Sequence, residues 1–147
     1  MLLAAAAIAA VVIAAWVLQA SVSDGGESSK DDPPWSYSIK VEQGGEVLRE
    51  YDLAALRALR QTSVVIDGKE QEGPLLKTVL EDAGAKNSRT VEIRGAAIRD
   101  PGRLTLTAAQ VKRDVQLDFS DRGTVKLCSA WLERREWVRD VLTIAAE

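Results

Sequence analysis

The 147 residues predict an α+β fold, a mixed β-sheet domain with short helices. Three observations carry the prediction. Several stretches alternate apolar and polar residues with the two-residue period of a half-buried strand. Tight-turn pairs, Gly44-Gly45 and Asp67-Gly68, join such stretches into hairpins rather than long crossovers. Three short segments between the hairpins carry helix signals, which gives hairpins and helices in one domain.

The most legible element is Gly73 to Gly84. Pro74 suits a first helical turn, where its missing N–H costs nothing. Leu75, Leu76, Val79, Leu80 and Ala83 gather on one side of a 3.6-residue period, and Gly84 supplies the left-handed stop. A helix beginning at Pro74 and packed on the core is expected.

Ahead of it, Tyr37, Ile39 and Val41 alternate with Ser38 and Lys40, and Glu46 to Tyr51 reads as the returning strand. Asp52 is placed to cap a short helix whose Leu53, Leu56 and Leu59 share a face. Ser63 to Ile66 is a further strand, turned by Asp67-Gly68 through Lys69 to Glu72 into the central helix. Beyond Gly84, Val91 and Ile93 mark a strand over Thr90 to Arg94. Gly95 to Gly102 is a loop, and Leu104 and Leu106 resume strand pattern. Thr107 and Gln110 have capping-box spacing ahead of a short helix. Val115, Leu117 and Phe119 alternate, Ser120 to Gly123 turns, and Thr124 to Cys128 returns; Trp137 to Ile144 is expected to be the last strand.

The amino terminus differs in kind. Residues 1–20 are apolar apart from Gln19, and Leu2 to Leu18 is 17 residues, the short end of a bilayer-spanning helix. The run lacks basic residues ahead of it and a good A-x-A cleavage site, so a retained transmembrane anchor is favoured over a cleaved signal. A lipid anchor is excluded because no cysteine follows the run. Residues 21–34, SVSDGGESSKDDPP, are almost free of apolar side chains and read as a flexible linker. The folded part is expected at 35–147. The linker's acidic excess gives no polybasic hold on lipid, and the charge asymmetry favours a domain outside the cytoplasm, periplasmic or at the cell surface.

Composition removes several chemistries. The chain has no histidine, so Ser-His-Asp hydrolysis, Cys-His proteolysis and histidine zinc sites are impossible. A net charge of -3 does not speak for nucleic acid. The single cysteine, Cys128, forbids an internal disulfide.

Gly73-Pro74-Leu75-Leu76 with Val79-Leu80-Glu81-Asp82-Ala83-Gly84 resembles the "G-x-P-L…L-L-E…A-G" signature of the sulfite-oxidase-like molybdopterin-binding domain. Asp52-Leu53-Ala54-Ala55-Leu56 is similar to that family's "D-L-x-x-L-P" helix, Gly123 to Leu127 to its "G-P-x-R-L-V" strand, and Trp137-Val138 through Ile144 to its closing strand. The resemblance spans Tyr37 to Ala146. It implies a sulfite-oxidase-like fold and molybdopterin as cofactor, with molybdenum held by the pterin and by one protein cysteine shortly before the proline-led helix. Three positions depart from the pattern. Thr62 to Glu72 contains no cysteine, and neither Ser63 nor Asp67 supplies the soft thiolate such a metal takes. Arg94-Gly95-Ala96-Ala97 stands where the family has an aromatic segment, and Glu136 where it has a basic residue.

Cys128 is the one catalytic candidate. A lone cysteine in strand pattern is commonly a small buried thiol, while Arg134 and Arg135 could lower its pKa if close. Residues 21–88 carry 8 basic and 13 acidic side chains and 89–147 carry 11 and 9, so the second half is mildly positive. Arg94, Arg99 and Arg103 flank the long loop and Arg134, Arg135 and Arg139 cluster near the end. These arginines are candidates for holding an anionic group if they converge on one cleft. Two functions follow as expectations. One is a membrane-tethered, extracytoplasmic, non-catalytic binding or partner module, for an anionic small ligand or a protein; the other is a molybdopterin-dependent oxidoreductase with an unusual ligand set.

Overall fold

Alternation of apolar side chains builds the main sheet from strands distant in sequence. The computed structural model describes residues 36–96 and 102–147. The expected anchor, the linker, Trp35, and Arg99 with most of its loop lie outside the described residues. Among the described residues no helix is long and apolar enough to cross a membrane.

The strands are β1 (Ser38–Gln43), β2 (Glu46–Asp52), β3 (Gln61–Ile66), β4 (Lys69–Pro74), β5 (Thr90–Gly95), β6 (Arg103–Thr107), β7 (Gln116–Phe119), β8 (Val125–Cys128) and β9 (Val141–Ala146). The helices are α1 (Leu53–Ala58), α2 (Leu76–Ala83) and α3 (Ala108–Val111), with a 3₁₀ turn at Arg134–Glu136. Five strands form one sheet in the order β2-β1-β9-β5-β6; only the β1–β9 pair is parallel. The hairpins β3–β4 and β7–β8 form two smaller sheets. The fold is therefore sheet-dominant α+β.

One face of the large sheet is apolar. Ile39, Val41, Val91, Ile93 and Ile144 have no more than 1% of their surface exposed and pack against Leu76, Val79 and Leu80 of α2. Each such aliphatic side chain contributes about 1.5–3 kcal/mol relative to exposure. The opposite face carries Lys40, Glu92, Arg94, Arg103 and Thr105 and is solvated, as antiparallel sheets allow. Tyr51, fully buried on β2, ties the sheet to α2 by donating to Asp82 Oδ2 at 2.6 Å. Arg49 reaches the same carboxylate oxygen at 2.7 Å.

Local signals mostly resolve as their chemistry requires. Asp52 accepts the Ala55 N–H at 2.6 Å to cap α1, and Thr107 with Gln110 closes the capping box of α3. Gly84 ends α2 in the left-handed conformation at φ +81°. Two boundaries differ from expectation. The helix does not begin at Pro74: Gly73 and Pro74 pair with Thr62 and Gln61 as the end of β4, and extended Leu75 bridges Gln116 before α2 begins at Leu76. The last strand does not begin at Trp137. Val138 bridges Leu127 in the small sheet, Asp140 turns the chain at φ +50°, and β9 starts at Val141.

Candidate functional site

The β7–β8 hairpin is closed by the turn Ser120 to Thr124, in which the Ser120 N–H donates to the Thr124 carbonyl at 2.8 Å and Gly123 takes φ +76°. That turn, the start of β4 and the segment from Arg134 to Asp140 enclose a cleft of about 560 Å3. Pairing across the hairpin places Asp118 opposite Lys126, so both charges rise from the cleft floor together.

Most of the charges there are already partnered. Lys126 Nζ lies 2.9 Å from Asp118 Oδ2, donates to Gln71 Oε1 at 3.3 Å, and stands 5.2 Å from the centre of the Trp137 ring. Asp140 accepts the Thr124 hydroxyl at 2.7 Å and faces Arg122 at 3.6 Å. Arg134 pairs with Asp67, at the β3–β4 turn, at 2.7 Å. Arg139 lines the cleft with no carboxylate partner among the described residues. The lining has four carboxylates (Glu70, Asp118, Asp121, Asp140) against four cations (Arg122, Lys126, Arg134, Arg139). Such a surface is rich in donors and acceptors but has little net field to draw in an anion.

The sequence candidates divide. Arg134 is in the cleft, joined by Arg139. Arg94 and Arg103 are not: they face each other across β5 and β6, and both bridge Glu92 on the solvated face of the large sheet. Arg135 pairs with Glu133 at 2.6 Å and does not line the cleft. Arg94 and Arg103 thus stay apart from Arg134 and Arg139, because strand pairing directs them away from the core and cleft.

Cys128 ends β8, opposite Gln116, with no exposed surface, and is not among the residues lining this cleft. Burial pushes its thiol up to about 12, and Lys126 draws it back only in part. An activated thiolate is therefore not what the fold makes here, and Arg134 and Arg135 spend their charge on Asp67 and Glu133 instead. Among the described residues no cluster of three or more acidic, cysteine or histidine side chains could hold a metal ion. The molybdenum ligand set that the resemblance implies does not fit these residues. The only sulfur that could bind as thiolate is enclosed, where burial disfavours its charged form, and the hairpin ahead of α2 brings Glu70 and Gln71, oxygen and amide groups, to the cleft.

Sequence reading missed Lys126, Asp118, Gln71, Arg122 and Asp140. The Asp118–Lys126 pair lay one register step away: a turn over Ser120 to Gly123 sets Asp118 opposite Val125, and the longer turn observed, Ser120 to Thr124, brings it opposite Lys126. Asp140 was hidden by the strand pattern drawn across it.

Fold and site together define an α+β domain bearing a polar, charge-balanced surface cleft. No protein-family model matches the chain, and no curated protein matches it.

Proposed function

We propose that this chain is a membrane-tethered, extracytoplasmic module of sulfite-oxidase-like fold, whose cleft serves a binding or partner role without catalysis. One observation supports the reading: the single thiol is sealed in the core while the cleft is lined by polar and charged side chains, most of the charges ion-paired. Binding needs only a complementary surface of donors and acceptors. The molybdenum site that the resemblance implies takes a protein thiolate, and hydrolysis of the Ser-His-Asp or Cys-His kind takes a histidine, which this chain lacks. The apolar run of residues 1–20 and the acidic, proline-ended linker support the tether and its side of the membrane.

The test is expression of the full chain in a host that makes molybdopterin, followed by metal and pterin analysis of the purified protein. Substoichiometric traces of both, unchanged in Cys128→Ala, are expected. Stoichiometric molybdenum and pterin would replace this reading with the oxidoreductase. Protease added to intact cells is expected to remove the domain while leaving cytoplasmic proteins whole; protection of the domain would overturn its placement.

A further inference from the structure

The three sheets end in edges that are managed unequally. The outer edge of β7 is bridged by Leu75 and that of β8 by Val138. The β2 edge carries Glu46, Arg49, Glu50 and Asp52 beside a bulge at Val41/Glu42, and β6 is five residues long with Arg103 at its head. Charges, bulges and shortness are how natural sheets discourage strand addition. β3 has none of these. Its sequence Gln-Thr-Ser-Val-Val-Ile is uncharged, unbulged and rich in β-branched residues, and Val65 is 66% exposed.

The free backbone groups on β3 can be assigned. Asp67 and Gly68 both take positive φ, at 52° and 73°, so they form the two-residue hairpin turn whose flanking pair, Ile66 and Lys69, closes the ladder by hydrogen bonding. Alternation then turns Thr62 and Val64 into β4 and leaves the N–H and C=O of Ser63 and Val65 facing outward. Among the described residues those groups bond to no other element.

We propose that this edge pairs with β3 of a second copy of the chain, antiparallel about a two-fold axis at Val64. In that register Ser63 exchanges N–H and C=O with Val65 of the second copy, and the reverse, giving a four-stranded sheet across the interface. Symmetry selects both partner and direction. The outward N–H and C=O groups of Ser63 and Val65 are evenly disposed about Val64, so an identical strand approaching antiparallel matches donor to acceptor at both positions under one closed two-fold axis, whereas parallel approach staggers the two copies and closes no such axis. A six-residue edge covers far less than the roughly 1,200 Å2 of a stable interface, so association in solution is weak, in the micromolar range or above.

The test is sedimentation velocity of the full chain in detergent over a range of protein concentrations, with Val65→Lys and with Val47→Lys on the charged β2 edge. A monomer–dimer equilibrium is expected, weakened about tenfold or more by Val65→Lys and unmoved by Val47→Lys. Val64→Cys should form a disulfide-linked dimer on mild oxidation, since the two side chains meet at the axis. A chain monomeric at all concentrations, a dimer indifferent to Val65→Lys, or absence of the Val64→Cys cross-link would each overturn the proposal. If circular dichroism shows Val65→Lys misfolded, Ser63→Arg on the same edge takes its place with the same expected loss.

Discussion

The Tyr37 hydroxyl accepts the Val125 N–H at 3.1 Å across 88 residues of sequence. The same hydroxyl donates to the Val141 carbonyl, so one side chain just ahead of β1 pins the start of β8 to the start of β9. Tyr37→Phe keeps the ring and deletes both bonds, leaving the Val125 N–H without a partner. A loss of about 1–3 kcal/mol in urea unfolding is expected; an unchanged midpoint would mean that the small sheet is held without this bond.

The two tyrosines also set an alkaline limit. Burial pushes Tyr37 from 10 up to about 12, and Tyr51 is pushed up as well, by burial and then by its bond to Asp82. Below pH 10 the phenols are neutral in both folded and unfolded chains. As pH rises past 10 the unfolded state loses these protons first, so stability falls across the window from 10 to 12. Tyr37→Phe should flatten part of that fall. Unfolding midpoints at pH 9, 10.5 and 11.5 on both proteins measure it.

Gly73 lies against β7 so closely that a Cβ there would stand 1.8 Å from the Leu117 carbonyl oxygen and 2.9 Å from its carbon. Both are backbone atoms, so no side-chain rotation relieves the clash and the two hairpins must part. Gly73→Ala is expected to cost about 3 kcal/mol or more. Gly44→Ala, in open space at a turn with φ +60°, should cost about 1–2 kcal/mol. Thermal unfolding of the pair reads the contrast, and equal losses would put the effect in backbone entropy rather than in contact.

How far the fold is legible in the sequence follows the range of the forces involved. Caps and tight turns at Asp52, Asp67-Gly68, Gly84 and Thr107 are decided within four residues, and they stand where local chemistry puts them. The end of β4 and the start of β9 are decided by cross-strand partners beyond the reach of a single turn. Pro74 pairs with Gln61, and Val138 joins Leu127 before Asp140 redirects the strand. The cleft is harder still, because its floor joins β4 to β8 through Gln71 and Lys126, 55 positions apart. Arginine content alone could not tell Arg134, beside the cleft, from Arg94 and Arg103, which share Glu92 on the solvated face of the large sheet.

Cys128 offers a direct readout of native packing. With no exposed surface and its pKa pushed to about 12, the thiol should resist iodoacetamide at pH 8 in the folded protein and react fully in urea. Mass spectrometry resolves the single added group. Rapid modification under native conditions would show that β8 opens locally at its carboxyl end.

Gln116 is the polar residue on which the two hairpins meet. It is fully buried, and its Nε2 donates to the carbonyls of Thr62, Gln71 at 3.2 Å and Gly73 at 3.3 Å, while its Oε1 has no partner. Three acceptors around one donor group make the site a test of hydrogen-bond polarity at constant shape. Gln116→Glu puts an oxygen where the three carbonyls need a donor. An ionised carboxylate there meets only lone pairs, so the buried acid should hold its proton, with a folded pKa raised above the unfolded value near ~4.3. A raised folded pKa gives stability that is present below the unfolded value and lost as pH climbs. The variant should therefore approach wild type near pH 4, where the protonated acid donates to one carbonyl, and fall behind by about 3 kcal/mol or more at pH 8. Urea midpoints of both proteins at the two values decide the matter. A deficit independent of pH would mean that the carboxylate swings out to water and that the β3–β4 hairpin is not fastened through this amide.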